Sequence, residues 1–157
     1  GGVEIDIYSL LDQDAKGRSG AVLTDLKPFS NFHDNDYEAL ILPGGPEWQA
    51  IEASSKVQEI IKTFMETNRY VCAICAAPTI LGRAGYLKGK HYTCFGSMND
   101  DFGGTYHRQY VVQDQKLITA SSAAAGIDFG LKILEALKGE EVSKQVQNDI
   151  YYHYKNA

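Results

Sequence analysis

The feature that most constrains the fold is a buried apolar run that leads into a helical segment with almost no turn between them. The run covers residues 70–74, and the helical segment covers residues 76–84. Cys75 stands at the junction, with Ala73 two residues before it and Ala77 two residues after it. Small side chains are needed at these two positions where a strand and a helix pass closely around a nucleophile. The spacing therefore predicts a nucleophile elbow at Cys75.

The position of Cys75 also bears on its reactivity. Unpaired N–H groups and the positive end of the helix macrodipole favour a thiolate at the start of a helix. Pro78 fits this arrangement, because its missing N–H costs no hydrogen bond in the first helical turn. Free cysteines are nevertheless often small core residues, and Cys75 taken alone could equally be one. Its place at a strand–helix junction downstream of Pro43-Gly44-Gly45 favours a functional role.

The other two cysteines, Cys72 and Cys94, are predicted to be core residues. Cys72 and Cys75 are spaced as C-x-x-C, but redox pairs of that kind open a helix, whereas Cys72 lies inside the predicted strand. Three steps along an extended chain would separate the two side chains by ~10 Å and place them on opposite faces. No second Cys/His pair has the spacing of zinc ligands, so no metal site is predicted. Cys94 has no evident partner for a disulfide.

Strand-like and helix-like segments alternate along the rest of the chain. Strands are predicted at residues 3–8, 21–25, 39–42 and 91–95, with a hairpin of 109–112 and 117–120. The run at 39–42 is continuously apolar, as in a strand that is buried on both faces. Helices are predicted after an N-cap at Ser54 or Ser55, with Val57, Ile60, Ile61 and Phe64 on one face, and over 125–138 and 140–153. Such alternation favours one α/β domain over residues 1–157 with a mostly parallel sheet.

Composition limits the partners and the compartment. A net charge of -5 gives no electrostatic reason to bind nucleic acid or an anionic membrane. No apolar run approaches the ~20 residues needed to span a bilayer. Three cysteines with no signal peptide indicate reduced thiols in the cytoplasm. No cofactor is predicted.

Together these motifs resemble the ThiJ/PfpI superfamily, in the branch of the parkinsonism-associated protein deglycase and its bacterial relatives. The stretches that carry the resemblance are residues 39–45 (Ala-Leu-Ile-Leu-Pro-Gly-Gly), 73–79 (Ala-Ile-Cys-Ala-Ala-Pro-Thr), 117–120 (Leu-Ile-Thr-Ala) and 127–137 (Ile-Asp-Phe-Gly-Leu-Lys-Ile-Leu-Glu-Ala-Leu). The resemblance implies a flavodoxin-like three-layer sandwich and a homodimer. It also implies that Cys75 is a nucleophile or a redox sensor.

The resemblance further implies an oxyanion pocket of backbone N–H groups at Gly44, Gly45 and Ala76. Two departures from the family pattern stand out. The family begins with a strand and a turn whose glutamate bonds the cysteine, and this chain begins after the place where that strand, a helix and the acid are expected. The family's Ser-Arg-Gly-Pro-Gly-Thr loop is replaced by Ala-Ser-Ser-Ala-Ala-Ala at 120–125.

His107 is the histidine with a candidate catalytic role, because it follows Gly103-Gly104 in the region where the family has a histidine near the cysteine. Glu47 could border the pocket, and Trp48 is predicted to be a packing residue. We expect a cysteine-dependent hydrolase or lyase that acts on a small carbonyl or glycated substrate. A non-enzymatic redox sensor or chaperone, in which Cys75 is oxidised, is an alternative. An amidase or protease-like activity is a further alternative, although Ala76, where the protease branch has histidine, argues against direct Cys–His proteolysis.

Overall fold

The central sheet has four strands and is mostly parallel. A computed structural model of the chain describes residues 1–11, 13–17 and 19–152. We number the strands in chain order: β1 Tyr8–Ser9, β2 Ala15–Lys16, β3 Val22–Leu23, β4 Lys27–Pro28, β5 Ala39–Leu42, β6 Tyr70–Ile74, β7 His91–Tyr92, β8 Thr105–Tyr106, β9 Val111–Asp114 and β10 Leu117–Ala120. The sheet has the order β5-β6-β10-β9, with only the β9–β10 hairpin antiparallel. The carboxyl ends of β5, β6 and β10 therefore meet at one edge of the sheet.

Helices cover both faces of this sheet, as predicted for an α/β sandwich. They are α1 Trp48–Ala53, α2 Ser55–Glu66, α3 Pro78–Arg83, α4 Gly126–Lys138 and α5 Glu140–Asp149. Val71 and Ala73 of β6 pack into a core with α2 and α3, whereas Cys72 packs into a second core with α4. Because successive side chains of a strand point to opposite faces, β6 is buried from both sides. The result is a three-layer sandwich with helices on each face.

Helix α2 shows how the sequence directs one of these layers. The side-chain oxygen of Ser54 accepts a hydrogen bond from the N–H of Val57, which confirms the predicted N-cap. The four apolar residues expected on one face are all buried: Val57, Ile60, Ile61 and Phe64. This face packs against β5 and β6, so burial of that stripe fixes the helix on the sheet.

Two predictions for the first strands were wrong. Residues 1–7 form no strand, and Ile5 and Ile7 are exposed. The alternating pattern there does indicate a strand, but a strand needs a partner for its backbone, and only Tyr8–Ser9 finds one in β4. The run at 39–42 is not buried on both faces either, because β5 lies at the edge of the sheet and Ile41 is 41% exposed.

Other elements differ from the predictions mainly in their bounds. The predicted strand 91–95 is paired only at His91–Tyr92, the hairpin strand is Val111–Asp114 rather than 109–112, and the helix after Cys75 begins at Pro78. Ala15–Lys16 pairs with Val22–Leu23. The last helix ends at Asp149, and the final residue of its predicted range, 153, lies outside the described residues. Within residues 1–11, 13–17 and 19–152, no helix has both the length and the apolar character that a bilayer crossing requires.

Candidate active site

Cys75 occupies a strained backbone position at the carboxyl edge of the sheet. It follows the last residue of β6 directly and has a φ of 65°. A non-glycine residue in this left-handed region is uncommon, and the conformation persists only where neighbouring structure holds it. Two backbone hydrogen bonds of 2.8 Å do so: the N–H of Cys75 donates to the carbonyl of Ala120, and its carbonyl accepts from the N–H of Phe95. The half-buried Cys75 is thus clamped between the end of β10 and the segment after β7.

The glycines after β5 allow the chain to pass close to Cys75. A Cβ placed on Gly44 would lie 2.7 Å from the Cβ of Cys75, 2.9 Å from the carbonyl oxygen of Ile74 and 3.5 Å from the nitrogen of Ala76. Real side-chain carbons do not approach this closely, so only glycine fits at this position. A Cβ placed on Gly45 would lie 2.8 Å from the carboxylate of Glu47. Glu47 therefore borders the turn after β5.

Backbone N–H groups are available beside Cys75. Within the part of the chain that the structure describes, the N–H groups of Gly45 and Ala76 donate no hydrogen bond. The carbonyl of Ala76 is held by the hydroxyl of Thr79 at 2.7 Å. Free donors next to a nucleophile can stabilise negative charge that develops on a substrate oxygen. An oxyanion role for Gly44, Gly45 and Ala76 stays a prediction.

Side chains of α1 contact those of α3, the helix that follows the elbow. The guanidinium of Arg83 donates to the hydroxyl of Thr79 at 3.0 Å and lies 4.9 Å from the centre of the Trp48 ring. It also pairs with the carboxylate of Glu52. Trp48 packs against the first core, so its predicted packing role is confirmed. These contacts join α1 to α3, the helix that follows Cys75.

The three thiols have different surroundings. Cys72 lies inside β6 as predicted, and burial raises the pKa of its thiol to about 12. Cys94 is fully buried, and burial together with the charge of Cys75 raises its pKa to about 11. Only Cys75 of the three is partly exposed. Cys94 is a core residue as predicted, and it immediately precedes Phe95, whose N–H bonds to the carbonyl of Cys75.

In the structure, the side chain of His107 contacts His91, whereas a contact with the thiol of Cys75 had been expected. Its Nε2 lies 2.7 Å from Nδ1 of His91, and the two rings are 5.0 Å apart. Its backbone N–H donates to the carbonyl of Tyr92, which precedes the Cys75-bound Phe95 by three residues. No motif in the sequence signalled this pair, because it depends on the parallel pairing of β7 with β8. The catalytic role of His107 stays a prediction.

A cavity of about 470 Å³ lies at the other end of the sheet. It is lined by residues that precede β5, β6 and β10, together with the end of α4: Asn35, Asp36, Tyr37, Glu38, Asn68, Arg69, Tyr70, Lys116, Ala136 and Leu137. Ligands of open parallel sheets bind at the carboxyl ends of the strands, where Cys75 lies, rather than at this end. Among the described residues, no three His, Cys, Asp or Glu side chains are grouped as metal ligands.

Comparison with known proteins identifies relatives for nearly the whole chain. The model of the DJ-1/PfpI family matches residues 1–136. Drosophila melanogaster protein DJ-1alpha is 34% identical over 142 residues, 88% of this chain and 65% of that protein. The Caenorhabditis elegans glutathione-independent glyoxalase DJR-1.2 is 27% identical over 144 residues, 90% of this chain and 77% of that protein. The isonitrile hydratase of Pseudomonas putida is 30% identical over 131 residues, 81% of this chain and 58% of that protein.

The fold has a close counterpart among solved structures. The crystal structure of Drosophila melanogaster DJ-1beta superposes with a TM-score of 0.87 at 26% identity, over 96% of this chain and 83% of that one. The flavodoxin-like three-layer architecture expected from the sequence is thereby confirmed. The chain spans 58% to 77% of the length of the three curated relatives described above.

Proposed function

The chain belongs to the DJ-1/PfpI family, and from this membership and the geometry at Cys75 we propose that it is a cysteine-dependent enzyme of the glyoxalase or deglycase type. Its relatives include proteins named as enzymes, one of them a glyoxalase that needs no glutathione. The observation that carries the proposal is the strained, half-buried Cys75 that Gly44 touches at the carboxyl edge of the sheet. The proposed substrate is a small carbonyl compound such as methylglyoxal.

The first step follows from what surrounds the thiolate. The sulfur of Cys75 attacks the aldehyde carbon of methylglyoxal, a C–S bond forms, and the carbonyl electron pair moves to oxygen. The free N–H groups of Gly45 and Ala76 then donate to that oxygen. Donors that are already in place stabilise the developing charge without reorganisation, and removing one such donor typically costs roughly 10²–10³ in rate. The product of this step is a hemithioacetal on Cys75.

The second half of the reaction is an internal oxidation and reduction. A proton leaves the carbon bonded to sulfur and another is added to the neighbouring carbon, so the adduct becomes a thioester of lactate. Water then attacks the thioester, lactate leaves, and the thiol is restored. The sum is methylglyoxal plus water giving lactate, with no external oxidant or reductant. The carboxylate beside Gly45, on Glu47, is a candidate to carry the proton.

The decisive experiment compares lactate formation by variants of the intact protein without glutathione. Cys75→Ser should lose turnover, because a hydroxyl in that position is a much weaker nucleophile than a thiolate. Cys72→Ser is the matched control, since it changes a buried cysteine three residues away that faces the other core. Equal turnover in wild type and Cys75→Ser would refute the proposal.

The assembly and location of the protein stay proposals. A homodimer is expected from the family, and light scattering of the purified protein would give its mass in solution. A cytoplasmic location is expected from the cysteine content, and fractionation of cells that express the protein would test it.

A further inference from the structure

A second thiol lies next to Cys75, on the segment that follows β7. The N–H of Phe95 donates to the carbonyl of Cys75 at 2.8 Å, and Cys94 is the residue immediately before Phe95. The charge of Cys75 also contributes, after burial, to the raised pKa of the Cys94 thiol. Eighteen residues lie between Cys75 and Cys94 in the sequence, so the pair gives no C-x-x-C signal.

The backbone hydrogen bond limits how far apart the Cα atoms of Cys75 and Cys94 can lie. A disulfide needs Cα atoms roughly 4.4–6.8 Å apart. The Cα of Cys94 is two bonds from the amide nitrogen of Phe95, and the Cα of Cys75 is two bonds from its own carbonyl oxygen. Standard bond lengths then limit the Cα–Cα separation to about 7.6 Å if all these atoms were collinear. The atoms cannot be collinear, because the N–H of a trans peptide lies on the same side as the preceding Cα, so the separation is shorter than this limit.

The surroundings assign different roles to the two thiols. Cys94 is fully buried, and its sulfur lies 3.7 Å from both the carbonyl oxygen of Phe95 and the Oδ1 of Asn99. Its raised pKa keeps it protonated near neutral pH, so it reacts slowly with an oxidant in solution. Cys75 is partly exposed and meets the oxidant first. A protected thiol beside an accessible one is the arrangement of a resolving cysteine next to a redox-active one.

We propose that Cys94 is the resolving cysteine of Cys75, and that a hydroperoxide converts the pair into a reversible disulfide that protects Cys75 from irreversible oxidation. The proposal rests on Cys75 being the reactive thiol of the proposed function. While the disulfide exists, the nucleophile is masked and turnover stops. A dithiol reductant then restores the protein.

The steps balance with a hydroperoxide as the oxidant. The thiolate of Cys75 attacks the peroxide, the O–O bond breaks, and the sulfur becomes a sulfenic acid while an alcohol, or water from hydrogen peroxide, leaves. The sulfur of Cys94 then attacks the sulfur of Cys75, an S–S bond forms and the S–O bond breaks. The leaving hydroxide takes the proton of Cys94 as water. Two thiols and one hydroperoxide thus give one disulfide, one alcohol and one water.

The test treats the intact protein with one equivalent of hydrogen peroxide and measures its mass before and after dithiothreitol. The proposal predicts a loss of about 2 Da that dithiothreitol reverses, because a disulfide lacks two hydrogens. Trypsin cleaves after Arg69, Arg83, Lys90 and Arg108, so the bond should join peptide 70–83 to peptide 91–108. Peptide 70–83 contains both Cys72 and Cys75. Either the Cys72→Ser variant, or fragmentation of the wild-type peptide at a bond between these two residues, shows which of them forms the disulfide.

Variants of Cys94 complete the test. In Cys94→Ser, and in Cys94→Ala should the serine fail to fold, the reversible loss should disappear and a gain of about 32 Da, a sulfinate, should accumulate on Cys75. The proposal would be overturned if the wild-type protein formed a sulfinate on Cys75 while Cys94 remained a free thiol that is alkylated after unfolding. A bond from Cys72, or a covalent dimer, would overturn it as well. Turnover plays no part in this readout, so its outcome is independent of the glyoxalase test.

Discussion

Replacing Gly44 by alanine is the sharpest way to test the contact that positions the elbow. The added Cβ would lie 2.7 Å from the Cβ of Cys75 and 2.9 Å from the carbonyl oxygen of Ile74. Carbon atoms in contact are usually about 3.5–4.0 Å apart, so the overlap with Cys75 is close to 1 Å. Neither neighbour is the free end of a flexible side chain. The strand end or the elbow must therefore move.

The cost can be estimated from this overlap. The backbone of Gly44 has no positive φ, so the penalty is steric and not conformational. Overpacking a tight site typically destabilises a protein by about 1–3 kcal/mol. A displacement of about 1 Å at a reacting group can lower its rate roughly 10²-fold. We expect Gly44→Ala to lower both the free energy of unfolding and the reactivity of Cys75.

Two assays separate these effects. Urea denaturation gives the free energy of unfolding, and the rate of iodoacetamide labelling, followed by peptide mass spectrometry, gives the reactivity of Cys75. Gly130→Ala is the matched control, because a Cβ there meets no atom within 4 Å. It lies inside α4 and should stabilise the protein by about 0.5–1 kcal/mol without changing the labelling rate. If Gly44→Ala kept the wild-type free energy of unfolding and the wild-type labelling rate, the close contact between Gly44 and Cys75 would be refuted.

Three further predictions concern other parts of the chain. Because burial raises the pKa of Cys72 to about 12, the free energy of unfolding should fall as pH rises above about 9. In Cys72→Ala, the free energy of unfolding should fall less steeply with pH, by up to about 1.4 kcal/mol per pH unit. Equal pH dependence in wild type and Cys72→Ala, measured by urea denaturation, would contradict this. Ser54→Ala should lose about 1 kcal/mol of stability with the cap, measured in urea against Ser55→Ala, which should lose little. If His107 has the predicted catalytic role, removing its ring should lower lactate formation roughly 10²-fold or more, as is typical of a general base. A change within about twofold would contradict that role and leave the ring only its contact with His91.

The elbow could be predicted because its signals are local. Small residues on both sides of Cys75, a strand before it and Pro78 after it are all read within one short segment, and the structure keeps that order. The stripe of α2 and its Ser54 cap are local in the same sense. Each of these features depends on residues a few positions apart, and backbone geometry alone links them.

The predictions that were wrong, and the contacts that the sequence did not indicate, depend on residues far apart in the sequence. Alternation at 3–8 predicts a strand, but whether the strand forms depends on a neighbour that the pattern does not contain. The exposure of Ile41 follows from the edge position of β5, which an apolar run cannot reveal. The contacts of Cys94 with the Cys75 segment and of His107 with His91 arise from tertiary pairing of β7 and its neighbours. Such pairs become visible only once the strand order is known.

The most direct test of the central claim is to catch the substrate on Cys75. The intact protein is mixed with methylglyoxal, quenched in acid during turnover and digested with trypsin. A hemithioacetal and a lactate thioester both add about 72 Da, so we predict that gain on peptide 70–83, assigned to Cys75 by fragmentation and absent from Cys75→Ser. Lactate formation with no adduct on Cys75, or an adduct on lysine or arginine side chains alone, would contradict the account.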